Sequence, residues 1–238
     1  MSRIHAQIAS TKPGVFELTD LRSTNGVRVN GVRITTHTSS VGDRIQLGPE
    51  LVLQFNYLDD TEEALNKQLY EAATRTPLTQ VLNRRAFDER LAAECSHARR
   101  HRTALALILR DIDHFKKVND QHGHPTGDRV LQEVAGNVLH SIRTEDVFAR
   151  SGGEEFILLV RGDTREGTKK IAERLRAEVE MLGFRDPNEG LFRVTLSAGV
   201  AMFDECGAGG SPATLISLAD KRLYLAKHSG RNRVCSDP

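Results

Sequence analysis

The chain has 238 residues, 39% hydrophobic and 27% charged, with a formal net charge of +1. That suits one full domain plus a smaller piece, and the near-neutral balance excludes the broad positive field with which a template-reading polymerase grips nucleic acid. No signal peptide and no apolar run long enough to span a bilayer is evident, so sensing through a membrane within this chain is not expected and a cytoplasmic location is.

Residues 1–57 are rich in Val, Thr and Gly, with short alternating runs such as Val15-Phe16-Glu17-Leu18 and Arg44-Ile45-Gln46-Leu47. Turns recur at Pro13-Gly14, Asn25-Gly26, Asn30-Gly31 and Gly42-Asp43, the spacing of a small β-sandwich. Residues 58–76 read as a helical linker: Asp60 with Glu63 fits a capping box, and Leu58, Leu65, Leu69 and Ala72 form a narrow apolar seam. That seam either holds two protomers in register or lies on the domain that follows.

Residues 77–238 carry the second domain. A helix at about 83–100 presents Phe87, Leu91 and Cys95 on one face, and Ala104-Leu105-Ala106-Leu107-Ile108-Leu109 reads as a buried strand. The strand runs into Arg110-Asp111-Ile112-Asp113, followed by a turn whose free N–H groups can face an anion. Gly123-His124-Pro125-Thr126-Gly127-Asp128 opens an amphipathic helix with the stripe Val130, Leu131, Val134, Ala135, Val138, Leu139 and Ile142. Val147-Phe148-Ala149 and Phe156-Ile157-Leu158-Leu159-Val160 flank Arg150-Ser151-Gly152-Gly153-Glu154-Glu155, a β-hairpin whose tight turn uses glycine. A helix at about 165–182, a strand from Phe192 to Met202 and a helix from Ser211-Pro212 through Lys227 complete the chain. Phe115, Phe156, Phe203 and Tyr224 read as core residues, and His114, His122 and His124 as turn or capping residues. Cys95, Cys206 and Cys235 are odd in number, have no metal-ligand spacing and read as reduced thiols.

The chemistry concentrates in the hairpin. Taken alone, Glu154-Glu155 is either a solvated turn or a pair of carboxylates whose repulsion metal ions relieve. Antiparallel pairing of the 104–109 strand with the strand after the hairpin would bring Asp111 and Glu154 to one sheet edge. Two carboxylates and a backbone carbonyl are hard oxygen ligands, suited to Mg²⁺ or Mn²⁺ rather than Zn²⁺.

Several separated motifs carry a resemblance: Leu78-Thr79 with Asn83-Arg84-Arg85; the run from Asp111 to Asp128; Gly152 to Phe156; Ser197-Ala198-Gly199-Val200-Ala201; and Ala219-Asp220 through Tyr224, Ala226 and Lys227 to Gly230-Arg231-Asn232-Arg233. On these, the chain from about Leu78 to Val234 resembles a GGDEF domain, the diguanylate cyclase family, in its GGEEF variant. The resemblance implies an α+β fold, a palm-like or nucleotide-cyclase-like α/β sandwich, that condenses two GTP into cyclic di-GMP and two pyrophosphates. It makes Asp111, Glu154, Glu155 and Lys116 the catalytic set. Asp111, Glu154 and the Ile112 carbonyl would hold two Mg²⁺ or Mn²⁺ ions per half-site, about 3.5–4 Å apart. Lys116, Lys227 and Arg231 would meet the β- and γ-phosphates, and Asn119 with Asp128 would read guanine. Since one site holds one GTP, ring closure implies a two-fold homodimer. Arg143-Thr144-Glu145-Asp146, with Arg174, resembles the family's inhibitory site for cyclic di-GMP.

Ser2-Arg3-Ile4-His5-Ala6 and the run from Asp20 to Gly31 resemble the second half of an FHA domain, which binds phosphothreonine peptides. This would assign Ser2, Thr24 and Asn25 to a phosphothreonine partner, in a sandwich whose upstream strands and phosphate-gripping Arg are missing, so that either the start site is miscalled or the segment is a remnant. Two positions depart from the GGDEF pattern: Thr76 stands where the family usually has Asp, and Gln80 where it has Gly. They keep open the alternative of a catalytically weak or silent protein acting as a cyclic di-GMP receptor or a phosphopeptide-linked adaptor.

Overall fold

The computed structural model describes residues 5–49, 51–56, 60–186, 190–207 and 209–237. The chain divides into two compact units, residues 1–69 and 70–238. In the first, β1 (Ala6–Lys12), β2 (Val15–Asp20), β3 (Val27–Val29), β4 (Val32–Ile34), β5 (Thr36–Ser39), β6 (Arg44–Leu47) and β7 (Leu51–Gln54) form two antiparallel sheets, ordered β1-β2-β5 and β4-β3-β6-β7. The period-two alternation is visible in β3, where Val27 and Val29 are buried and Arg28 is exposed. With Leu18 and Ile45 they make a small core, while β7 is exposed along its whole length. Asp43 fastens the turn before β6 by accepting from Ser40 N, His37 Nε2 and Asn30 Nδ2, bonds that hold its carboxyl down at about 2. Helix α1 (Asp60–Thr74) follows, with Leu65 and Leu69 exposed. Leu58 and the Asp60 side chain, parts of the expected seam and capping box, lie outside the described residues.

The second unit is built around a five-stranded sheet. Its elements are α2 (Arg84–His101), β8 (Leu105–Ile112), α3 (Phe115–His122), α4 (His124–Ser141), β9 (Val147–Gly152), β10 (Glu155–Arg161), α5 (Arg165–Met181), β11 (Phe184–Arg185), β12 (Leu191–Phe192), β13 (Leu196–Met202), a 3-10 turn (Phe203–Cys206), α6 (Pro212–His228) and β14 (Val234–Cys235). The strand order is β14-β13-β8-β10-β9, antiparallel throughout except for β14 on β13. Central β8 is buried on both faces, which is why its sequence is a continuous apolar run rather than an alternation. Leu105, Leu107 and Leu109 join a core with Phe87, Leu91 and Cys95 of α2 and Leu215, Ala219 and Leu223 of α6. Ala106, Ile108 and Ile112 join the opposite core with Val130, Val134 and Val138 of α4 and Leu175 and Val179 of α5.

Three expectations need correction. Residues 115–122 are helix α3 rather than a turn: His114 takes a left-handed conformation (φ 58°), and Phe115 and Val118 then bury one turn apart. The strand expected from Phe192 to Met202 is broken, because β8 ends at Ile112 opposite Leu196 and leaves residues 193–195 without a ladder partner. Tyr224 is 59% exposed, since Leu223 and Ala226 take the buried positions of α6; its ring stacks on His228 at 3.8 Å.

Gly199 explains the small-residue motif of β13. A Cβ there would lie 2.1 Å from the Ala219 carbonyl oxygen and 2.3 Å from the Leu223 nitrogen, so the hydrogen atom is what lets α6 seat on the sheet. Because both obstacles are backbone, Gly199→Ala should destabilise the second unit by about 3 kcal/mol or more. Chemical denaturation checks this, and a midpoint within error of the parent would contradict the packing argument.

Candidate active site at the sheet edge

The β8–β10 register determines the site. Glu155 lies directly across from Asp111, and the Ile112 N–H donates to the Glu154 carbonyl (3.4 Å). The hairpin reaches this position through Gly153, whose φ of 50° is the left-handed conformation glycine tolerates, and Arg150 Nε braces the tip by donating to Gly153 O (2.7 Å). Asp111 and both glutamates therefore meet at one edge. Glu154 is half-buried and Glu155 exposed, whereas Asp111 is only 6% exposed.

Electrostatics there are unbalanced. Loss of solvent pushes the Asp111 carboxyl up to about 6; Lys227, whose Nζ sits 2.7 Å from it, opposes the shift, and Glu154 and Glu155 reinforce it. Lys227, expected to await a phosphate, is thus engaged by Asp111. Among the described residues no group of three or more His, Cys, Asp or Glu side chains is gathered closely enough to cage a metal. A hard divalent cation can bind such an edge through one or two carboxylates plus substrate phosphates and water rather than an all-protein cage. A desolvated carboxylate crowded by two glutamates is also an edge that a divalent cation would relieve.

The other residues expected in the site lie on α3, on α4 and in the turn after α6. Lys116 is exposed in the first turn of α3, and the free backbone N–H groups expected after Asp113 belong to that helix end. Asn119, on the same helix, lies against α4: a Cβ on Gly127 would be 1.9 Å from Asn119 Oδ1. Gly127 therefore admits the amide beside exposed Asp128. Arg231, half-buried and left-handed (φ 61°), follows the end of α6, with its N–H on Ala226 O.

Away from the edge, Arg143 and Asp146 close a turn on each other: Arg143 N donates to Asp146 Oδ2 (3.1 Å) and Asp146 N to Arg143 O (3.1 Å). Burial raises the Asp146 carboxyl against the bonds from the Arg143 and Arg161 amides. The exposed Arg143 guanidinium is 3.6 Å from Asp163, and Arg174 donates to Ser141 O (2.7 Å), at the end of α4. Arg143, Glu145 and Asp146 face a groove of about 670 Å³, with Tyr70, Arg75 and Arg90 on other parts of its wall. In the first unit Thr24 and Asn25 are exposed, and Ser2 lies outside the described residues.

Sequence reasoning missed two buried charges beside the site. Asp113 is 5% exposed and accepts from Ser197, Thr195 and Asn232; a second acid two residues after Asp111 was the available signal. Arg110 is 1% exposed, and among the described residues none of its guanidinium nitrogens has a hydrogen-bond partner. Its guanidinium lies 5.2 Å from the Phe148 ring centre, and burial pushes its pKa down to about 9, an effect that the Glu178 charge partly opposes. An Arg ending an apolar run was the signal for it.

A family model described as diguanylate cyclase, GGDEF domain, matches residues 73–233. The chain belongs to the GGDEF family. An FHA-domain model matches residues 1–48. The chain is 35% identical over 248 residues to diguanylate cyclase DgcP of Pseudomonas aeruginosa, covering 97% of this chain and 36% of that protein. It is 41% identical over 163 residues to the probable diguanylate cyclase DgcT of Escherichia coli, covering 68% of this chain and 35% of that one. It therefore spans about a third of the length of these curated relatives. Among solved structures, the coiled coil and GGDEF domain of DgcB from Caulobacter crescentus in complex with c-di-GMP superposes with a TM-score of 0.69 at 35% identity, covering 74% of this chain and 91% of that one. The active GGEEF domain of a diguanylate cyclase from Vibrio cholerae gives 0.60 at 34% identity, covering 65% and 96%. The α+β GGDEF fold and the β-rich, FHA-like first unit agree with the expectation from sequence.

In the absence of divalent cation, Asp111 should titrate near 6 rather than near 3.8. Because the folded pKa is the higher one, metal-free stability falls as pH rises from about 4 to about 6, and the loss is complete above that window. Carboxyl-carbon NMR of the metal-free protein should show the raised midpoint, and Mg²⁺ should lower it. A midpoint at the ordinary value would mean that the edge is better hydrated than its geometry implies.

Proposed function

We propose that this chain condenses two GTP into cyclic di-GMP and two pyrophosphates. The observation that carries the reading is the convergence of Asp111, Glu154 and Glu155 at the β8–β10 edge, beside the α3–α4 corner that carries Asn119 and Asp128. Asp111, Glu154 and the Ile112 carbonyl would hold divalent cations, Mg²⁺ or Mn²⁺. When bound, a pair of such ions acidifies the 3′-hydroxyl and neutralises charge on the α-phosphate and leaving pyrophosphate. The chain's own groups orient the substrate. Asp128 accepts from the guanine N1–H and N2–H donors, with Asn119 beside it, so that GTP is preferred over ATP. Lys116 and Arg231 meet the β- and γ-phosphates, joined by Lys227 once Asp111 turns to the cation. Glu154 and Glu155 supply the negative charge at the hairpin tip that would attract the cations, with Glu155 directly across from Asp111.

Ring closure needs a second GTP on a facing protomer, and the exposed Leu65 and Leu69 of α1 support a homodimer through that helix. Feedback by cyclic di-GMP would use Arg143, Asp146 and Arg174, whose fork and acceptor geometry suits phosphate and guanine. Among the described residues no helix is long and apolar enough to cross a membrane, which is compatible with the cytoplasmic location read from the sequence. Engagement of a phosphothreonine protein by Thr24 and Asn25 rests on the FHA match alone.

Glu154→Gln tests the chemistry. It removes a ligand charge from a half-buried hairpin tip and should abolish cyclic di-GMP formation from GTP and Mg²⁺ while leaving the melting temperature within about 2 °C of the parent. Near-normal turnover in the variant would overturn the metal-ligand role of Glu154, whereas absence of turnover in the parent would favour a receptor that binds cyclic di-GMP without making it. A second assay tests feedback. Arg143→Ala should straighten progress curves that slow as product accumulates, with the initial rate unchanged; identical curves in both proteins would leave Arg143 as a surface partner of Asp163.

A further inference from the structure

Asp113 has no part in the chemistry proposed above, yet its carboxylate is among the most completely engaged groups in the second unit. Ser197 Oγ donates to Oδ1 (2.7 Å), while Thr195 Oγ1 (2.7 Å) and the Asn232 N–H (3.0 Å) donate to Oδ2. Its own N–H donates to Thr195 O (2.9 Å). The carboxylate therefore joins the tip of β8 and the start of β13 to the turn between α6 and β14.

That turn is conformationally costly. Gly230 (φ 110°), Arg231 (φ 61°) and Asn232 (φ 45°) all have positive φ, and two consecutive non-glycine residues there are unusual for an L-peptide. Surrounding contacts must hold them. The Asn232 N–H is fixed by Asp113, and both ends of its side-chain amide are fixed by α5: Arg176 Nη1 donates to Oδ1 (2.7 Å), and Nδ2 donates to Glu180 Oε1 (2.8 Å). Arg176 is itself held by Glu173 and Glu180. On the far side, Ala198 N donates to Arg233 O (2.9 Å). The residue at the crest of this clasped turn is Arg231.

We infer that Asp113 is a positioning residue for Arg231, holding the left-handed Gly230–Asn232 turn, with the Asn232 amide as its second clasp, so that the guanidinium stands ready for a nucleoside triphosphate. The inference rests on reading this edge as a triphosphate site. A carboxylate suits the task because two oxygens without a hydrogen can accept from two hydroxyls and an amide together. An Asn at 113 can still accept from Asn232, because the Ser197 hydroxyl can reverse its role and accept from the new amide.

The test uses the full chain, Mg²⁺ and 3′-deoxy-GTP, which binds but lacks the attacking hydroxyl, with affinity measured by calorimetry. Asp113→Ala and Arg231→Ala should each weaken binding about tenfold, and the double variant should match Arg231→Ala alone within about twofold. Asp113→Asn should stay within about threefold of the parent. Losses that add in the double variant would overturn the proposal, because general damage to the fold does not need Arg231. If Asp113→Ala does not fold, Asp113→Ser replaces it in the same cycle; one short hydroxyl cannot serve Ser197, Thr195 and the Asn232 N–H together, and unchanged affinity would again overturn the proposal. Amide hydrogen exchange separates this failure from failure of the triphosphate reading. If Arg231→Ala leaves affinity unchanged while the Asn232 N–H still exchanges faster in Asp113→Ala, the clasp exists but Arg231 does not serve a triphosphate. If the Asn232 amide is no faster, the clasp itself is wrong.

Discussion

The antiparallel register of β8 against β10 is the constraint on which the site depends. A β-ladder fixes side chains with a period of two, so a slip of one residue would turn Asp111 into the apolar core and bring Arg110 to the edge. Nothing local to Asp111 prevents that slip. The core does, because Leu105, Leu107 and Leu109 fit the α2–α6 side while Ala106, Ile108 and Ile112 fit the α4–α5 side. Burial of hydrocarbon on both faces thus places a carboxylate opposite Glu155 and strips it of water, and that desolvation raises its pKa. Stability and chemistry are joined here through one strand.

A strand end alone offers charge but no means of telling one nucleotide from another. On the reading proposed above the α3–α4 corner would supply selectivity, and its construction depends on contacts closer than ordinary side chains allow. Gly127 admits the Asn119 amide at a distance that a methyl group would forbid, so two helices separated by the single residue Gly123 present Asn119 and Asp128 together. The corner is also tied from outside. His122 pairs with Asp186 (3.2 Å) and stacks on Phe192 at 4.1 Å, linking the end of α3 to the β11–β12 segment. Rigidity at this corner suits a site that reads a base edge with a few fixed acceptors.

What was legible in the sequence follows from which forces are local. Hydrophobic period and glycine turns announced β8, β9, β10, α2, α4, α5 and α6, because each buries a continuous face or needs a special backbone conformation. The meeting of Asp111 with the glutamates was legible once antiparallel pairing was assumed. Helix α3 was not, because its eight residues bury only Phe115 and Val118, too short a pattern to stand out from a turn. The break before β13 was equally hidden, since it is set by where β8 stops rather than by anything in residues 193–195. Tyr224 was misjudged because an aromatic near a helix stripe looks buried until the helix phase is known. No role was legible for Asp113 and Asn232 because their partners are more than 80 residues away in sequence on the β13 side and more than 50 on the α5 side.

The two departures from the family pattern are best weighed by what the entry turn does. Gln80 adopts φ 57°, the left-handed conformation that the usual glycine would supply without strain, and it does so while Thr76 N donates to Val81 O (2.9 Å) and Gln80 N to Thr76 O (2.9 Å). The Thr76 hydroxyl meets the Thr79 hydroxyl at 2.7 Å, so an uncharged group occupies the acid's place in the turn. Left-handed backbone at a non-glycine residue costs about 1–2 kcal/mol, which falls on the stability of the turn. The turn is nevertheless tied to the hairpin strand on both sides of Leu82, with Leu82 N donating to Phe148 O (3.3 Å) and Arg150 N to Leu82 O (2.9 Å). Arg150 in turn braces the Gly153 carbonyl at the hairpin tip. The substitutions therefore burden the outer turn without breaking its tie to the hairpin, which runs through the backbone bonds at Leu82 and the Arg150 side chain, and an intact tie is what the proposed catalysis would require.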